Sequence, residues 1–599
     1  MASGVAIYGK SYLGFLNKAG FRETVARLDE MLFYEDGIGA TVSVHRERSL
    51  LYLRVNGKTD ASNSQRDMRT QIMLGHLPLL FHPQAERVLV IGLGSGVTGG
   101  AVALHPVGRV DVIEIEPAVV RAAAFFAKEN REVLSNPRVQ VTIADGRNFL
   151  LAAETPYDVI ISEPSNPWLR GIGSLFSREF YELAARRLRP DGVVCQWIHV
   201  YNLFPDDVRM VVKTFRSVFP RTSIWSSSSG DLLLVGSNVP RTLDAAVLQE
   251  RYRTIGGLRE DFTRLGLRAP LALLADFVLG EADAARYAEE AQLNTDDLPL
   301  LEFSAPESLY AETGDLNHTL LRAYRQQAWP PLQGAAEAEL DSAAFHRDLG
   351  MAFLGKEMAD QALEHFDAAL ARDPRDALSQ LQRGRLRQRQ GAVLLAEADY
   401  KAVLALDPRS FEAHEALAAL YMGQRMPSLA AAQLQRAHAL RPDDARTLLR
   451  LADLSREQRR FPEAMSHYRA ATGLLPRDAA PWIGLGLAHR ALGQHREAVA
   501  AFRQALARDP DGLSAQYHLG VSLLESQQLD EALSLLRSAA ARDAGRPDPL
   551  LALGRLYAAR GQPELAADAF QRVLDLDPSS AAAIKALDGL RASSGGPRP

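Results

Sequence analysis

The C-terminal half of this 599-residue chain repeats with a constant period of 34 residues. One period separates each member of a proline series from the next: Pro374, Pro408, Pro442, Pro476 and Pro510. Small residues keep the same register before these prolines, from Gly350 to Gly554 at one offset and from Ala362 to Ala566 at another. Small residues let two helices approach closely and a proline ends the second helix, so the period predicts stacked helix pairs.

The repeat pattern resembles a tetratricopeptide array of seven helix pairs over residues 341–578. Residues 579–592 would add a capping helix, so the resemblance implies an all-α tetratricopeptide solenoid over residues 341–592. Such arrays present a concave surface, which implies an unknown protein or peptide partner. A role confined to oligomerisation or spacing is the alternative.

The N-terminal half alternates predicted strands and helices. The predicted strands lie at residues 87–91, 109–115, 139–143, 158–162 and 192–197. This order predicts an α/β doubly wound parallel sheet. We place the sheet domain at residues 76–245, between a β-hairpin domain with a site-lining helix at residues 1–75 and a helical extension at residues 246–335.

Composition and charge exclude several classes of protein. The net charge is −5 without a long basic run, so we expect no nucleic acid partner. No stretch reaches the roughly 18 apolar residues of a membrane span, and the N-terminus lacks the apolar segment of a signal peptide. Cys195 is the only cysteine, which suits a reducing compartment, and we expect a cytoplasmic chain. His76 and His199 lack metal-ligand spacing, so no metal site is expected.

A glycine-rich loop follows the predicted strand at residues 87–91. It contains Gly92, Gly94 and Gly96, and glycines here allow positive φ and a close approach of the backbone to a ligand. Glu114 ends the next predicted strand, where a carboxylate can accept both hydroxyls of a ribose. These residues predict a nucleoside site.

Two kinds of nucleoside fit the glycine loop. In the nicotinamide dinucleotide fingerprint the first glycine leaves the strand directly, as Gly92 does, but Val97 then stands where a glycine is expected. Asp145, followed by Gly146 after the third strand, favours an S-adenosyl sulfonium nucleoside, because an acidic residue there can accept the adenine amino group. We prefer the sulfonium nucleoside over NAD.

The segment Tyr157–Trp168 ends a buried strand in an acidic residue at a turn. Glu163 stands at the carboxyl end of this strand, and the prolines that follow it, Pro164 and Pro167, would not be tolerated inside a strand or a helix. Ligands of open α/β sheets bind beside such strand ends. Glu163 is therefore a candidate general base, and a solvated carboxylate at a surface turn is the alternative.

Together these motifs resemble those of the polyamine aminopropyltransferase (spermidine synthase) family over about residues 34–237. The motifs that carry the resemblance are, in order, Gly92–Val97, Glu114, Asp145-Gly146, Glu163–Pro167, Leu175-Phe176 and Phe180-Tyr181. The resemblance implies an S-adenosylmethionine methyltransferase-like sheet, with a small N-terminal β-domain that can carry homo-oligomer contacts. It assigns catalysis to Glu163 and donor binding to Gly92, Gly94, Ser95, Gly96, Glu114, Asp145 and Gly146.

Acceptor binding falls to four residues around the same site: Gln71, His76, Asn166 and Gln196. Gln71 and His76 align with the family's site-lining helix. Amide groups such as those of Gln71 and Gln196 can hydrogen-bond an acceptor amine, although local bonding at a helix end or strand end explains them equally well.

Four positions depart from the family pattern. Ser95 replaces the aspartate that binds the amine of the aminopropyl group, and Asn166 replaces the second aspartate of the catalytic loop. Glu163 replaces an aspartate and Thr70 replaces a tyrosine. Two formal negative charges are therefore missing from a pocket that should hold a polyamine.

The resemblance implies transfer of an aminopropyl group from decarboxylated S-adenosylmethionine, a co-substrate and not a resident cofactor, to a small-molecule amine. An S-adenosylmethionine-dependent methyltransferase is one alternative, because Ser95 removes a charge that would repel the donor's carboxylate. A catalytically weak nucleoside-binding scaffold, whose repeats recruit a partner, is the other.

Overall fold

The computed structural model of the chain describes residues 30–169, 171–543 and 545–594. The chain divides into two compact units, Met1–Ser379 and Gln380–Pro599. Residues 1–29, the start of the predicted domain 1–75, lie outside the described residues. No helix among the described residues is long and apolar enough to span a membrane.

A small antiparallel sheet opens the described part of the first unit. Its four strands pair in sequence order: β1 (Glu30–Asp36), β2 (Thr41–Glu47), β3 (Leu50–Val55) and β4 (Lys58–Ser62). Val42 and Val44 alternate along β2 and are fully buried together with Leu53 of β3, as the two-residue period of a half-buried strand requires. The predicted N-terminal β-domain is thereby confirmed.

Helix α1 (Gln65–Phe81) connects the small sheet to the main one. Ser64 caps it by accepting a hydrogen bond from the backbone N–H of Asp67 at 3.3 Å. Every residue from Met68 to Phe81 is buried, so this helix runs through the interior of the unit. The sequence predicts a helix over residues 68–81, and the capping serine starts it three residues earlier.

The main sheet has eight strands in the order β13-β10-β11-β9-β8-β5-β6-β7. The strands are β5 (Arg87–Ile91), β6 (Arg109–Glu114), β7 (Val139–Ile143), β8 (Tyr157–Ser162), β9 (Leu188–His199), β10 (Arg221–Ser228), β11 (Asp231–Ser237) and β13 (Phe277–Leu279). Strands β9, β8, β5, β6 and β7 run parallel, which confirms the predicted doubly wound sheet. Strands β11, β10 and β13 extend it antiparallel, an edge that the sequence analysis did not predict.

Helices connect the strands of the main sheet and follow them along the chain. They are α2 (Val97–Val102), α3 (Pro117–Ala123), α4 (Gly146–Ala152), α5 (Arg178–Arg187), α6 (Pro205–Val218), α7 (Ala245–Thr254), α8 (Gly256–Arg264), α9 (Glu281–Tyr287), α10 (Leu300–Ser304), α11 (Gly314–Ala323) and α12 (Glu337–Leu340). Two short strands, β12 (Leu243–Asp244) and β14 (Leu332–Gln333), pair parallel beside them. The extension predicted as helical at residues 246–335 thus also contributes β13 and β14.

Seven helix pairs and a final helix form the repeats. They are α13 (Ala343–Gly355), α14 (Ala359–Arg372), α15 (Ala377–Arg389), α16 (Val393–Leu406), α17 (Phe411–Gly423), α18 (Pro427–Leu440), α19 (Ala445–Glu457), α20 (Phe461–Leu474), α21 (Ala480–Ala491), α22 (His495–Leu506), α23 (Leu513–Glu525), α24 (Leu529–Arg542), α25 (Pro547–Ala559), α26 (Pro563–Leu576) and α27 (Ala581–Ser594). A Cβ on Gly486 would lie 2.6 Å from the ring of Phe502, which explains the small residue of the period. The first pair, α13 and α14, belongs to the first compact unit.

Candidate active site

A cavity of about 1160 Å³ opens at the carboxyl ends of β5, β6 and β8. Its walls bring together residues that are far apart in the sequence: Lys58, Asp60, Asp67, Thr70, Gln71, Gly92, Gly94, Glu114, Asp145, Gly146, Glu163, Asn166, Trp197, Tyr201 and Asp231. The cavity thus lies where a doubly wound sheet binds its ligands. It is large enough for a nucleoside and a second substrate.

The glycine loop approaches the catalytic loop at one point. Gly92 has φ +97°, and a Cβ there would lie 2.3 Å from the backbone oxygen of Glu163. The backbone N–H of Glu163 in turn donates to Ile91 at 2.9 Å. Only glycine permits this conformation and this contact, so Gly92 sets the distance between the glycine loop and the backbone of Glu163.

Glu114 and Asp145, which were predicted to bind the donor, both line the cavity. The carboxylate of Glu114 accepts hydrogen bonds from the backbone N–H groups of Leu93 at 3.0 Å and Glu116 at 2.9 Å. Burial raises the pKa of Glu114, and these backbone donors oppose the rise. Asp145 caps α4 by accepting from the N–H of Asn148 at 2.8 Å. Each carboxylate oxygen has a further lone pair for a ligand.

Glu163 lies half-buried in the cavity wall. Its Oε2 is 2.6 Å from the hydroxyl oxygen of Thr98 on α2. Removal from water raises the pKa of Glu163 from 4.5 to about 8, the Thr98 hydrogen bond opposes this, and the nearby charges of Asp60 and Asp231 add to it. A carboxyl group with this pKa can accept a proton near neutral pH and retain it.

Ser95 joins the glycine loop to α1. Its side chain is buried, does not line the cavity, and donates a hydrogen bond to Oε1 of Gln71. The amide nitrogen of Gln71 donates to the backbone oxygens of Asp67 at 3.1 Å and Ser62 at 3.3 Å. Gln71 therefore lines the cavity with its side chain held in place by three partners.

Asn166, which was predicted to bind the acceptor, lines the cavity and is almost fully buried. Its amide nitrogen is 2.9 Å from Nδ1 of His199. Burial lowers the pKa of His199 well below its ordinary value, so the imidazole is neutral and its Nδ1 accepts from the Asn166 amide. The rings of Trp168 and Tyr201 lie 4.3 and 4.8 Å from the His199 ring and enclose it.

The structure does not bring His76 and Gln196 to the cavity. His76 is fully buried, with Nδ1 2.9 Å from His105 and Nε2 3.1 Å from Asp261. Gln196 is also fully buried, and its amide nitrogen donates to the backbone oxygen of Trp197 at 2.9 Å. We therefore leave both residues out of the acceptor site proposed below.

Three carboxylates that were not predicted from the sequence also line the cavity: Asp60, Asp67 and Asp231. Asp231 accepts from Trp197 Nε1 at 3.1 Å, from Thr70 at 3.0 Å and from Ser228 at 2.6 Å. Desolvation raises the pKa of Asp67, the hydrogen bond from Ser62 opposes this, and the charge of Asp231 adds to it. Asp60 is paired with Lys58, whose Nζ lies 2.7 Å away. Asp67 and Asp231 therefore place carboxyl groups in the cavity wall that positions 95 and 166 do not supply.

The family model for the spermine/spermidine synthase domain matches residues 68–227. Tetratricopeptide repeat models match residues 347–411, 415–479, 483–547 and 523–589. The class that the fold and the matches define is therefore a spermidine synthase-type domain joined to tetratricopeptide repeats.

Curated relatives of known name match part of the chain. A spermidine synthase of Dictyostelium discoideum is 33% identical over 168 residues, which are 27% of this chain and 59% of that protein. Spermidine synthase 1 of Pisum sativum is 39% identical over 138 residues, 22% of this chain and 41% of that protein. Putrescine N-methyltransferase 3 of Nicotiana tabacum is 34% identical over 154 residues, 24% of this chain and 39% of that protein. The chain thus spans less than two thirds of the length of each.

Among solved structures, spermidine synthase from Thermotoga maritima matches with 21% identity and a TM-score of 0.36, covering 43% of this chain and 87% of that one. A structure from a functional characterisation of Pseudomonas aeruginosa pilF matches with 22% identity and a TM-score of 0.32, covering 37% of this chain and 100% of that one.

Proposed function

We propose that this chain transfers an aminopropyl group from decarboxylated S-adenosylmethionine to a small-molecule amine. The observation that carries the proposal is Glu163, a carboxyl group with a pKa of about 8, in the wall of a cavity that also contains the glycine loop and Glu114. A base is thereby available beside a nucleoside-shaped site.

The donor would bind with its ribose hydroxyls on Glu114 and its adenine amino group on Asp145. Both residues line the cavity, and backbone or capping hydrogen bonds hold both carboxylates in place. Gly92 and Gly94 have positive φ and let the donor approach the backbone closely. This arrangement supports five of the donor residues that the family resemblance assigns: Gly92, Gly94, Glu114, Asp145 and Gly146. Ser95 and Gly96 do not line the cavity, so we leave them out of the donor site.

The acceptor amine would bind between the acidic side chains of Asp67 and Asp231 and the ring of Trp197, with Asn166 beside them. An alkylammonium group is stabilised by carboxylates and by the faces of aromatic rings. Trp197 donates its indole N–H to Asp231 at 3.1 Å, which orients the ring along this wall. An acceptor with two amines would use this wall for the amine that does not react.

The reaction requires a neutral amine, because only a free lone pair can attack the carbon next to the sulfonium. An ordinary alkylamine has a pKa of about 10.4, and the sulfonium charge and loss of water both lower that pKa. Glu163, with its pKa raised to about 8, takes the released proton. The C–N bond forms as the C–S bond breaks, and methylthioadenosine leaves with the electron pair on sulfur.

Methyl transfer from S-adenosylmethionine is the second candidate. Ser95 places no charge at the glycine loop and is turned toward Gln71, and a putrescine N-methyltransferase is among the relatives. In this reaction the same amine attacks the methyl carbon and S-adenosylhomocysteine leaves.

The experiment is a comparison of both donors with a panel of mono-, di- and polyamines, followed by chromatography of the nucleoside product. Release of methylthioadenosine that depends on both the donor and an amine supports aminopropyl transfer. Release of S-adenosylhomocysteine instead supports methyl transfer. If neither product forms with any amine, both proposed reactions are overturned. Glu163→Gln is the matched control, because it retains the shape of the side chain without the base.

We further propose that the repeats of the second unit bind a protein or peptide partner and that the chain acts in the cytoplasm. The observation behind the first proposal is the tetratricopeptide match over residues 347–589. Pull-down with the full chain and with a variant carrying charge reversals on the repeat surface would test it.

A further inference from the structure

The first repeat buries a lysine in the sheet unit. Lys356 directly follows α13, and its side chain is only 1% exposed. Its ammonium group donates to the backbone oxygens of Ser226 at 2.7 Å and Ala275 at 3.1 Å, and lies 3.3 Å from Asp276. A lysine buried with these partners differs from the solvated lysines usual on a repeat surface.

A second cation reaches the same carboxylate from the site-lining helix. Arg69 of α1 donates to Oδ1 of Asp276 at 2.8 Å and to the backbone oxygen of Leu265 at 2.5 Å. The side chains of Arg69 and Asp276 are 3% and 1% exposed. Removing one partner from a buried charge group leaves the others uncompensated. Lys356, Arg69 and Asp276 therefore form a buried charge triad, which we call the strut.

The strut lies beside the acceptor wall, by which we mean the cavity-lining residues Asp67, Trp197 and Asp231 that we propose to bind the amine. Arg69 is followed on α1 by Thr70 and Gln71, which line the cavity. Ser226, which accepts from Lys356, is followed on β10 by Ser227, whose hydroxyl oxygen lies 2.9 Å from that of Thr70.

From Thr70 the contacts continue into the wall itself. The Thr70 hydroxyl donates to Asp231 at 3.0 Å, and Asp231 also accepts from Trp197 at 3.1 Å. The strut thus contacts both α1, through Arg69, and β10, through Ser226. The contact between these two elements, Thr70 to Ser227, positions Thr70 against Asp231. The residues proposed to bind the donor lie elsewhere: Glu114 ends β6 and Asp145 caps α4. The hydrogen bonds of these two carboxylates, among the described residues, include none to the strut.

We propose that Lys356 is a positioning residue for the acceptor amine. The first repeat then contributes to the catalytic unit and does not belong to the repeats that bind a partner. The proposal rests on the proposed function for its kinetic consequence. The division of the chain at Ser379 and Gln380, after the first helix pair, agrees with it. Loss of the lysine would release α1 from β10 and disorder the acceptor wall, while the proposed donor residues are left in place.

The test uses the full chain with Lys356→Met, which retains the length of the side chain without its charge. The control is Lys401→Met, which removes a lysine that is 62% exposed in a later repeat and pairs with Glu397. We expect Lys356→Met to raise KM for the amine about tenfold while KM for the donor stays within about twofold, because small displacements of a positioned group reduce rates strongly. Equal changes in both constants, or no change in a folded variant, would overturn the proposal.

A milder variant keeps the test decisive if Lys356→Met does not fold. Ser227→Ala leaves the strut in place and removes only the contact between β10 and Thr70. A rise of several-fold in KM for the amine alone supports the proposal, and unchanged constants contradict it. Lys356→Arg, which restores the charge, should recover part of the loss seen with Lys356→Met.

Amide hydrogen exchange separates this inference from the proposed function. Peptides covering α1 (Gln65–Phe81) and β10 (Arg221–Ser228) should exchange faster in Lys356→Met than in the wild type, while peptides covering β5 and β6 are unchanged. If no amine reacts, the proposed function fails, but this exchange pattern still supports the role of Lys356 in holding α1 against β10. Uniform exchange across the unit would show that the lysine contributes only to global stability.

Discussion

The hydroxyl oxygen of Thr98 lies 2.6 Å from Oε2 of Glu163. The same oxygen lies 3.1 Å from the backbone oxygen of Gln71, which can only accept. A hydroxyl has one hydrogen, so it cannot donate to both. When Glu163 carries a proton, it donates to Thr98 and Thr98 donates to Gln71. When Glu163 is ionised, Thr98 turns its hydrogen to the carboxylate. The pair therefore accommodates both protonation states of the proposed base.

Thr98→Val removes the hydrogen bond that favours the ionised form of Glu163. Since that bond lowers the pKa of Glu163, its loss should move the acidic limb of the kcat/KM profile to higher pH. The measurement is kcat/KM from pH 6 to pH 10 for both proteins. Thr263→Val is the control, because Thr263 is exposed and its hydroxyl donates to the backbone oxygen of Arg259 on its own helix. An unshifted limb would contradict a role for Thr98 in the ionisation of Glu163.

Glu163→Gln should abolish most of the activity and also stabilise the protein at high pH. Loss of a general base costs about 100-fold or more in kcat.

The effect of Glu163→Gln on stability follows from the pKa of Glu163, which is about 8 in the folded chain and ordinarily 4.5. Between these values the unfolded chain has released the proton that the folded chain retains, so wild-type stability falls as pH rises through this window.

The glutamine variant does not ionise and escapes that loss. Thermal melts should show equal Tm for both proteins near pH 4 and a higher Tm for Glu163→Gln at pH 8. A lower Tm for the variant at pH 8 would mean that the ionised carboxylate is favoured by its surroundings, contrary to the raised pKa.

Gly92→Ala should disturb the catalytic loop specifically. The added Cβ would meet the backbone oxygen of Glu163 at 2.3 Å, which forces the proposed base away from the glycine loop. We expect a fall in kcat of about 100-fold, as for a displacement of about 1 Å at a reacting group. Gly391→Ala has a similar positive φ of +77° but open space around the added carbon, and it should leave kcat unchanged.

Asp231→Asn should weaken binding of amines according to their charge. Removing this carboxylate takes a negative charge from the acceptor wall, so KM should rise more for a diamine than for a monoamine of equal length. Steady-state kinetics with both amines provides the comparison. Asp315→Asn, on α11 and outside the cavity, is the control. An equal change for the two amines would place Asp231 away from the second amine.

The site residues that stand at the ends of predicted strands could be predicted from the sequence. The glycine loop and Asp145 follow parallel strands and Glu114 ends one, and the carboxyl ends of such strands meet at one edge of the sheet. The cavity lining includes Glu163 and Gly92, as expected from those positions. The repeats could also be predicted, because a period of 34 residues is visible in the sequence without any tertiary information.

Side-chain direction explains why His76 and Gln196, which were predicted to bind the acceptor, do not line the cavity. Gln71 and His76 are five positions apart on α1, and at 3.6 residues per turn such a pair lies about 140° apart around the axis, so His76 faces the interior when Gln71 faces the cavity. Gln196 and Trp197 are neighbours on β9 and point to opposite sides of the sheet. The missed carboxylates, Asp60 and Asp231, come from strands whose approach to the cavity depends on tertiary packing.

The most direct test of aminopropyl transfer is identification of both products after incubation of the purified full chain with decarboxylated S-adenosylmethionine and a diamine. We predict equal amounts of methylthioadenosine and of the diamine extended by one aminopropyl group, with both lost in Glu163→Gln. Release of methylthioadenosine without an extended amine, or extension that persists in Glu163→Gln, would contradict transfer by Glu163. A methylated diamine formed only from S-adenosylmethionine would replace aminopropyl transfer with methyl transfer.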